Sequence, residues 1–215
     1  MSSEPRDWIY TTSRDMTLSA GRLGQLVRRG LLTAGVGGTL ALMAAPLGAV
    51  EVQAYSGYGG QVQQYGHLNL CVDDTGWSTT QGTRMQLYPC TGNSNQHWNE
   101  LIVTVGTPTG QTTQAALLQN AYSGLCLNVS GASRANFTPA IQWGCSSTYT
   151  NELFKVLPAP GTSGPPNFNF WAGWIGTCLD DPYNSGSSGT KLEFYQCNES
   201  VAQTWRANGM IGVWP

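Results

Sequence analysis

Apolar and polar positions along the chain change over short distances. From about residue 55 onward, apolar or alternating runs of four to six residues are separated by Gly, Pro, Asn and Ser. No long stretch has the three-to-four-residue spacing of an amphipathic helix. Many short strands with frequent turns are typical of an all-β domain. The runs are Gly66–Cys71, Met85–Tyr88, Leu101–Val105, Ala116–Gln119, Phe154–Leu157, Phe168–Trp171 and Leu192–Tyr195.

The first 54 residues differ from the rest of the chain. Arg22, Arg28 and Arg29 precede Gly30–Val50, which contains no charged residue. A basic segment followed by an apolar run is typical of a secretory signal, and the Arg28-Arg29 pair weakly resembles a twin-arginine export signal. Small residues around Ala54 predict cleavage there, so residues 1–54 form a leader and residues 55–215 the mature domain. The apolar run is also just long enough to span a bilayer, so an uncleaved membrane anchor is the alternative.

Composition and charge argue against a disordered chain and against a nucleic-acid-binding protein. The formal net charge is −2, charged residues make up 10% of the chain and aromatic residues another 10%. Aromatic content of this size indicates a packed core rather than a disordered chain. Because no basic run lies near the repeats described next, nucleic acid is not an expected partner.

Six cysteines mark three repeats. Each pair is 19 positions apart, opens with Cys-[Val/Leu]-[Asp/Asn] and closes with an aromatic residue two positions before the second cysteine. Six cysteines allow 15 pairings, and the constant spacing favours Cys71–Cys90, Cys126–Cys145 and Cys178–Cys197. Each bridge would contribute about 3 kcal/mol and indicates an oxidising compartment. Reduced cysteines or a metal site are the alternative, but the chain has no CxxC motif or close His partner.

The repeats predict one domain with pseudo-threefold symmetry. The first cysteines lie at positions 71, 126 and 178, which gives repeats of about 57–112, 113–164 and 165–215. One repeat of this size cannot bury both faces of its hairpins, whereas three can pack around a common axis. Each repeat ends with a large aromatic residue, Trp98, Phe154 or Trp205, which we expect in the core.

These features resemble the ricin B-type lectins, also called family-13 carbohydrate-binding modules. Cys-[Val/Leu]-[Asp/Asn] starts, aromatic-x-Cys ends, and Gln-x-Trp at Gln96 and Gln203 carry the resemblance, which covers about residues 57–214. It implies a twelve-stranded β-trefoil that binds sugars without catalysis. It also implies one shallow site per repeat, built from five positions. These are an acid two residues after the first cysteine, a Gln and an aromatic residue four and two before the second, and the closing Asn-Gln.

The first repeat matches all five positions with Asp73, Gln86, Tyr88, Asn95 and Gln96. Carboxylate and amide groups suit sugar hydroxyls, which both donate and accept hydrogen bonds. Asp73 is the expected anchor, because hydrogen bonds to charged groups are the stronger ones. Tyr88 would lie against the apolar face of the sugar, while Gln86 and Gln96 would brace the anchor. The alternative is that Asp73 caps a turn and Tyr88 only packs.

The other repeats depart from the pattern. In the second repeat Asn128 replaces the acid, Ile141 the Gln and Glu152 the closing Gln, while Trp143 keeps the aromatic position; we expect this site to be weak or inactive. The third repeat keeps Asp180, Tyr195 and Gln203, but Glu193 and Ala202 replace Gln and Asn. Two nearby carboxylates would repel, so they would share a proton or hold a cation. We expect a second, weaker site here.

Other residues give only weak indications of a catalytic, metal-binding or sugar-binding role. Asp74 and Asp181 follow the anchor acids, but adjacent strand residues point to opposite faces, so we interpret them as turn or solvent residues rather than catalytic acids. His67 and His97 have no third His partner, so no metal or other cofactor is expected. Trp77, in the loop 76–82, is a candidate second aromatic platform.

The sequence therefore predicts a secreted, extracellular, bacterial lectin that acts as a monomer, mainly through its first repeat. Its partners would be galactose-type or xylan- and arabinan-type glycans, bound with a Kd on the order of 0.1–1 mM per site. Two alternatives stay open. One is a β-trefoil that binds a protein partner, as a protease inhibitor does. The other is the carbohydrate-targeting subunit of a separate glycoside hydrolase.

Overall fold

The computed structural model describes residues 59–106, 111–163 and 167–210. The predicted leader, its cleavage site and the possible membrane anchor lie outside these residues. The described residues form twelve β-strands and five short 3₁₀ helices, with no α-helix among them. Consequently the described part of the chain holds no helix of the length and apolarity that crossing a bilayer requires.

Each repeat supplies four consecutive strands. The first has β1 (Gly60–Gln64), β2 (His67–Asp74), β3 (Met85–Pro89) and β4 (His97–Gly106). The second has β5 (Thr112–Asn120), β6 (Cys126–Val129), β7 (Thr138–Trp143) and β8 (Lys155–Pro158). The third has β9 (Asn167–Ala172), β10 (Thr177–Asp180), β11 (Glu193–Gln196) and β12 (Trp205–Ala207). The 3₁₀ helices are Ser94–Gln96, Ser130–Ala132, Thr150–Glu152, Pro182–Asn184 and Val201–Gln203.

The first and fourth strands of the repeats close into a barrel. Antiparallel pairs join β1 to β4, β4 to β5, β8 to β9, β9 to β12, and β12 back to β1. A bridge between Ala116 and Phe154 completes the ring between β5 and β8. A closed ring leaves no unpaired edge strand within it.

The second and third strands form three hairpins, β2–β3, β6–β7 and β10–β11. The hairpins touch one another through the pairing of Glu193 with Pro139 and through isolated bridges from Arg84 to Ile141 and from Gln86 to Lys191. A six-stranded barrel with three contacting hairpins is a β-trefoil. The all-β fold and its threefold organisation, predicted from the sequence, are confirmed.

The closing aromatic residues lie in the core, as predicted. Trp98, Phe154 and Trp205 belong to one buried cluster with the apolar side chains of all three repeats. The indole nitrogens of Trp98 and Trp205 donate to the backbone oxygens of Val72 and Leu179, at 3.1 and 3.0 Å. Val72 and Leu179 each follow the first cysteine of their repeat, so the two tryptophans have the same structural role.

The three predicted disulfides are also confirmed. Cys71–Cys90, Cys126–Cys145 and Cys178–Cys197 are bonded, and the described residues contain no free cysteine. Each bridge joins the first strand of a hairpin to a cysteine that lies one or two residues after the end of the second strand. The disulfides therefore hold the segments that carry the candidate sugar-binding positions.

Candidate sugar-binding sites

Three of the predicted residues of the first repeat, Gln86, Asn95 and Gln96, converge on the carboxylate of the fourth, Asp73, which is 3% exposed. The Gln86 amide donates to Oδ1 at 2.9 Å. Asn95 and Gln96 donate to Oδ2 at 2.8 and 3.0 Å. Because a carboxylate offers about four acceptor sites, the protein itself occupies most of them. Tyr88, two residues after Gln86 on β3, is 45% exposed.

The closing glutamine braces the hairpin in two repeats. Gln96 accepts from the backbone N–H of Thr91 at 2.8 Å and donates to the Pro89 oxygen at 3.0 Å. In the third repeat, Gln203 accepts from Asn198 N–H at 2.9 Å and donates to the Gln196 oxygen at 3.0 Å. Both glutamines thus tie the residues on either side of the second cysteine, which supports the bracing role predicted for Gln96.

Gln86 has a second contact that crosses between repeats. Its side-chain oxygen accepts from Lys191 Nζ at 2.8 Å, and the same ammonium donates to Thr75 Oγ1 at 2.8 Å. Gln86 therefore uses both ends of its amide inside the protein, as a brace does. Trp77 of the 76–82 loop is exposed and packs edge-on against Tyr122, with ring centroids 4.9 Å apart.

In the second repeat the buried carboxylate belongs to Glu152 of the closing motif and not to residue 128, which corresponds to Asp73. Asn128, in the place of Asp73, donates to Glu152 Oε1 at 2.8 Å. Glu152 Oε2 accepts from Ser146 N–H at 2.8 Å. An Asn–Glu pair thus replaces the Asp73–Gln96 pair with donor and acceptor exchanged. The buried carboxylate now lies in the brace, and burial raises the pKa of Glu152 while its two hydrogen bonds lower it.

A cavity of about 380 Å³ lies beside Asn128. Ile141 and the exposed Trp143 line it, together with Tyr149. None of these four side chains carries a charge. The second-repeat cavity is therefore a neutral, aromatic-lined hollow.

The third repeat has a larger cavity, of about 430 Å³. Asp180, Glu193 and Tyr195 of the predicted site line it, whereas Gln203 lies behind Asp180 in its bracing position. Burial raises the pKa of Asp180 and of Glu193. The charge of Asp180 raises the pKa of Glu193 further, and the charge of Asp181 does the same for Asp180. The other lining residues are Phe137, Tyr183, Asn184, Asn198, Ser200, Val201 and Ala202.

Two of these residues, Phe137 and Tyr183, escaped the sequence reasoning. Tyr183 lies five residues after the first cysteine of its repeat, where the other repeats have Gly76 and Gly131; all three have positive φ, at 61°, 70° and 61°. Phe137 lies eleven residues after its first cysteine and has φ 65°.

Two of the three repeats have a glycine at each of these two positions, and Tyr183 and Phe137 are the exceptions. At the position of Phe137, the other repeats have Gly82 and Gly189, with φ 86° and 85°. Glycine adopts this conformation freely, whereas a side chain there costs about 1 kcal/mol. Nevertheless Phe137 and Tyr183 are 56% and 91% exposed, so neither gains the burial that would offset the strain. Aligning the three repeats position by position would have identified both.

Of the turn and solvent roles predicted for Asp74 and Asp181, the solvent role is wrong, because both residues are fully buried. Both do begin turns, since the backbone oxygen of Asp74 accepts from Trp77 N–H at 3.3 Å and that of Asp181 accepts from Asn184 N–H at 2.8 Å. Gln142, one residue beyond the expected glutamine position, donates to Asp74 Oδ1 at 3.2 Å and to the Ser78 oxygen at 2.7 Å. Burial and the nearby Asp73 carboxylate raise the pKa of Asp74 to about 7, against a lowering contribution from a Ser78 hydrogen bond.

Within the described residues, no cluster of three or more His, Cys, Asp or Glu side chains is arranged to hold a metal ion.

Comparisons with known proteins agree with this architecture. Residues 56–143 match the family model described as "Ricin-type beta-trefoil lectin domain-like". A search of curated protein sequences finds no match. Among solved structures, the designed threefold-symmetric protein ThreeFoil is similar, with a TM-score of 0.58 and 23% identity over 69% of this chain and 96% of that chain.

Two natural lectins are similar at comparable levels. The Rhizoctonia solani agglutinin has a TM-score of 0.54 and 19% identity, over 71% of this chain and 94% of that chain. The ricin B-like lectin of Macrolepiota procera, solved in complex with lactose, has a TM-score of 0.53 and 19% identity, over 74% and 99%. At these identities the likeness establishes the fold. The described residues thus form the β-trefoil that these structures share, and residues 56–143 are similar to the ricin-type lectin domain of the family model.

Proposed function

We propose that this chain is a non-catalytic carbohydrate-binding protein. The cavity of the third repeat carries the proposal, because it combines the buried carboxyl of Asp180 with the rings of Phe137, Tyr183 and Tyr195. A carboxylate accepts hydrogen bonds from sugar hydroxyls with charge assistance. Aromatic rings cover the apolar face of a pyranose. Two of the rings replace glycines at strained positions, which makes sense if they contact a ligand.

The first repeat is the second proposed site. Asp73 is held in place by three amides and keeps about one acceptor site for a ligand, and Tyr88 is exposed enough to serve as a platform. The sequence favours this repeat as the main site, and that stays a prediction. The open cavity and the less occupied carboxyl favour the third repeat, so single-site variants must rank the two.

The proposed ligands are galactose-type sugars or xylan- and arabinan-type chains. The similar Macrolepiota procera lectin was solved with lactose, which supports testing β-galactosides first. Each shallow site would have a Kd on the order of 0.1–1 mM. Sites in two repeats would engage one branched or polymeric glycan together and gain avidity through effective concentration.

We also propose that the protein is exported and acts outside the cell as a monomer. Three disulfides in a chain of this size fit an oxidising compartment, where such bonds form and persist.

A glycan array tests the proposal. The oxidised 215-residue chain should select one class of sugar. Tyr183→Gly and Phe137→Gly should weaken that binding, if the third repeat carries it, while the free energy of unfolding stays within about 1 kcal/mol, because glycine relieves the left-handed strain but adds chain entropy.

The equivalent change in the first repeat is Tyr88→Ala, which removes an exposed ring without disturbing the Asp73 network. Loss of binding in Tyr88→Ala alone would make the first repeat the main site, as the sequence predicts. A folded protein with intact disulfides that binds no glycan would refute the lectin proposal.

A further inference from the structure

The cavity of the third repeat contains two facing carboxyls. Asp180 on β10 and Glu193 on β11 are directly opposite in the antiparallel pair, and they are only 6% and 7% exposed. Like charges in this position destabilise a sheet. At the same positions the first repeat pairs Asp73 with Gln86, and the second pairs Asn128 with Ile141. Strand pairing therefore gives no reason for an acid at position 193.

The Glu193 carboxylate lacks a donor. Within the described residues, no group donates a hydrogen bond to it, and Arg84, whose charge lowers the pKa of Glu193, does not line the cavity. The Arg84 guanidinium donates instead to the Leu192 backbone oxygen at 3.2 Å. Its side chain is more than nine-tenths buried, but its oxygens are not among the fully enclosed polar atoms without a partner, so they stay accessible from the cavity that Glu193 lines. The open cavity is the place from which a ligand would supply the missing donor.

Asp180 also has fewer side-chain hydrogen-bond donors than Asp73, its counterpart in the first repeat. Three side-chain amides donate to Asp73. In the third repeat, Ala202 and Glu193 occupy the positions of Asn95 and Gln86, and neither has a side-chain amide. The side chain of Gln203 remains as a hydrogen-bond partner of Asp180. Two neighbouring carboxyls thus face one cavity with few donors between them.

The rest of the cavity wall suits a cation. Phe137, Tyr183 and Tyr195 line it, and Phe137 and Tyr195 stand edge to face with centroids 5.2 Å apart. No described lining residue is Lys, Arg or His. Aromatic faces attract ammonium groups, and carboxylates form charge-assisted hydrogen bonds with them.

We propose that the third-repeat cavity binds an amino sugar through its protonated amine. The ammonium group lies between Asp180 and Glu193, and the pyranose ring lies against the aromatic side chains. The ligand class is a hexosamine without its N-acetyl group, either free or in a cationic polysaccharide. This inference rests on the proposed carbohydrate-binding function and specifies the ligand of one of its sites.

The second repeat provides an internal contrast. Asn128, Ile141 and Trp143 occupy the positions of Asp180, Glu193 and Tyr195, so its cavity has the same place in the fold but no charge. This cavity has nothing to attract an ammonium group. Discrimination between an amine and its N-acetyl derivative is thus expected from the third repeat and not from the second.

Calorimetric titration of the oxidised 215-residue chain tests the proposal. The probes are glucosamine and galactosamine, their N-acetyl derivatives, galactose and choline, each titrated near neutral pH with and without EDTA. We expect each amine to bind about tenfold more tightly than its N-acetyl derivative, the gain of one charge-assisted contact. The ratio should fall as salt is added.

Glu193→Gln preserves the shape of the side chain and restores the pattern of the first repeat. It is expected to bring the ratio of the two affinities close to one. Glu199→Gln is the matched control, because Glu199 is an exposed acid outside the cavity lining and its replacement changes the net charge equally. This control should leave the ratio unchanged.

The outcomes separate the two proposals. A chain that binds none of the sugars, neutral or cationic, refutes the carbohydrate-binding function itself. Binding of neutral sugars without a preference for amines, or an unchanged ratio in Glu193→Gln, overturns the amino-sugar assignment alone. Choline binding in place of the amino sugars, or sugar binding that EDTA abolishes, would likewise overturn it in favour of an alkylammonium or a metal ion.

Discussion

Ionisation of Asp74 should lower the free energy of unfolding of the native protein as pH rises. Replacing Asp74 by Asn should remove this pH dependence. Asp74 is fully buried, Gln142 donates to its Oδ1, and its Oδ2 has no partner among the described residues. Burial and the neighbouring Asp73 raise its pKa from 3.8 to about 7. Because the folded pKa exceeds the unfolded one, the stabilising contribution is complete below about pH 4. It is lost as pH rises through 7.

The shift of the Asp74 pKa sets the size of the effect. About three pKa units correspond to roughly 4 kcal/mol between the fully protonated and fully ionised limits. Between pH 5 and pH 8 the folded protein should lose about 2.5 kcal/mol through this group. Asparagine cannot ionise, and its side-chain oxygen still accepts from Gln142. The stability of Asp74→Asn relative to the native chain should therefore rise by about 2.5 kcal/mol over the same interval.

Urea unfolding at pH 5 and pH 8, monitored by tryptophan fluorescence with the disulfides intact, measures this difference. Other titrating groups are present in both proteins, so most of their contribution cancels in the comparison. Glu199→Gln is the control, because it removes one negative charge from an exposed position. If the difference between Asp74→Asn and the native chain is equal at the two pH values, Asp74 does not titrate there and the reasoning fails.

Three further predictions concern the core, the disulfides and the second repeat, each measured as the free energy of unfolding in urea. Trp205→Ala should cost about 3–5 kcal/mol, because it empties a fully buried position and removes the hydrogen bond to the Leu179 oxygen; a cost below 1 kcal/mol would contradict its core role. Replacing Cys126 and Cys145 together by Ser should cost about 3 kcal/mol, and an unchanged midpoint would show that the bridge adds nothing. Glu152→Gln should cost about 1–3 kcal/mol, since a glutamine oxygen that accepts from Ser146 N–H leaves its NH2 group facing the NH2 group of Asn128, two donors without an acceptor. Adding Asn128→Asp recreates the Asp73–Gln96 pair and should recover most of that loss, so a double variant no more stable than Glu152→Gln would refute the exchange.

The sequence predicted the fold well, because the cysteine spacing and the closing aromatic residues recur at each repeat. The runs with clear apolar character all fall in strands. Five strands, β1, β6, β7, β10 and β12, contain none of the predicted runs. β1 contains only one aliphatic residue, Val62, and β12 has three residues, too few for any periodicity. These strands exist because neighbouring strands supply their hydrogen bonds, which no local pattern reveals.

The sites were predictable in part. Gln86, Asn95 and Gln96 meet around Asp73 as expected, since one hairpin and the 3₁₀ helix that follows it fix their positions. Contacts between repeats were not predictable. Phe137 belongs to the second repeat but lines the cavity of the third, and Gln142 reaches Asp74 of the first. Such contacts depend on how the hairpins lie against each other, which is a tertiary property.

The closure of the barrel also governs the order of folding. Val62 in β1 pairs with Ala207 in β12, 145 positions along the chain, whereas each disulfide joins cysteines 19 positions apart. Contacts between distant residues form slowly, because a large loop must close first. Each hairpin and its disulfide can thus form as soon as its own residues are present, whereas the barrel can close only when β12 is present. Oxidation and barrel assembly are therefore separate kinetic steps in this molecule.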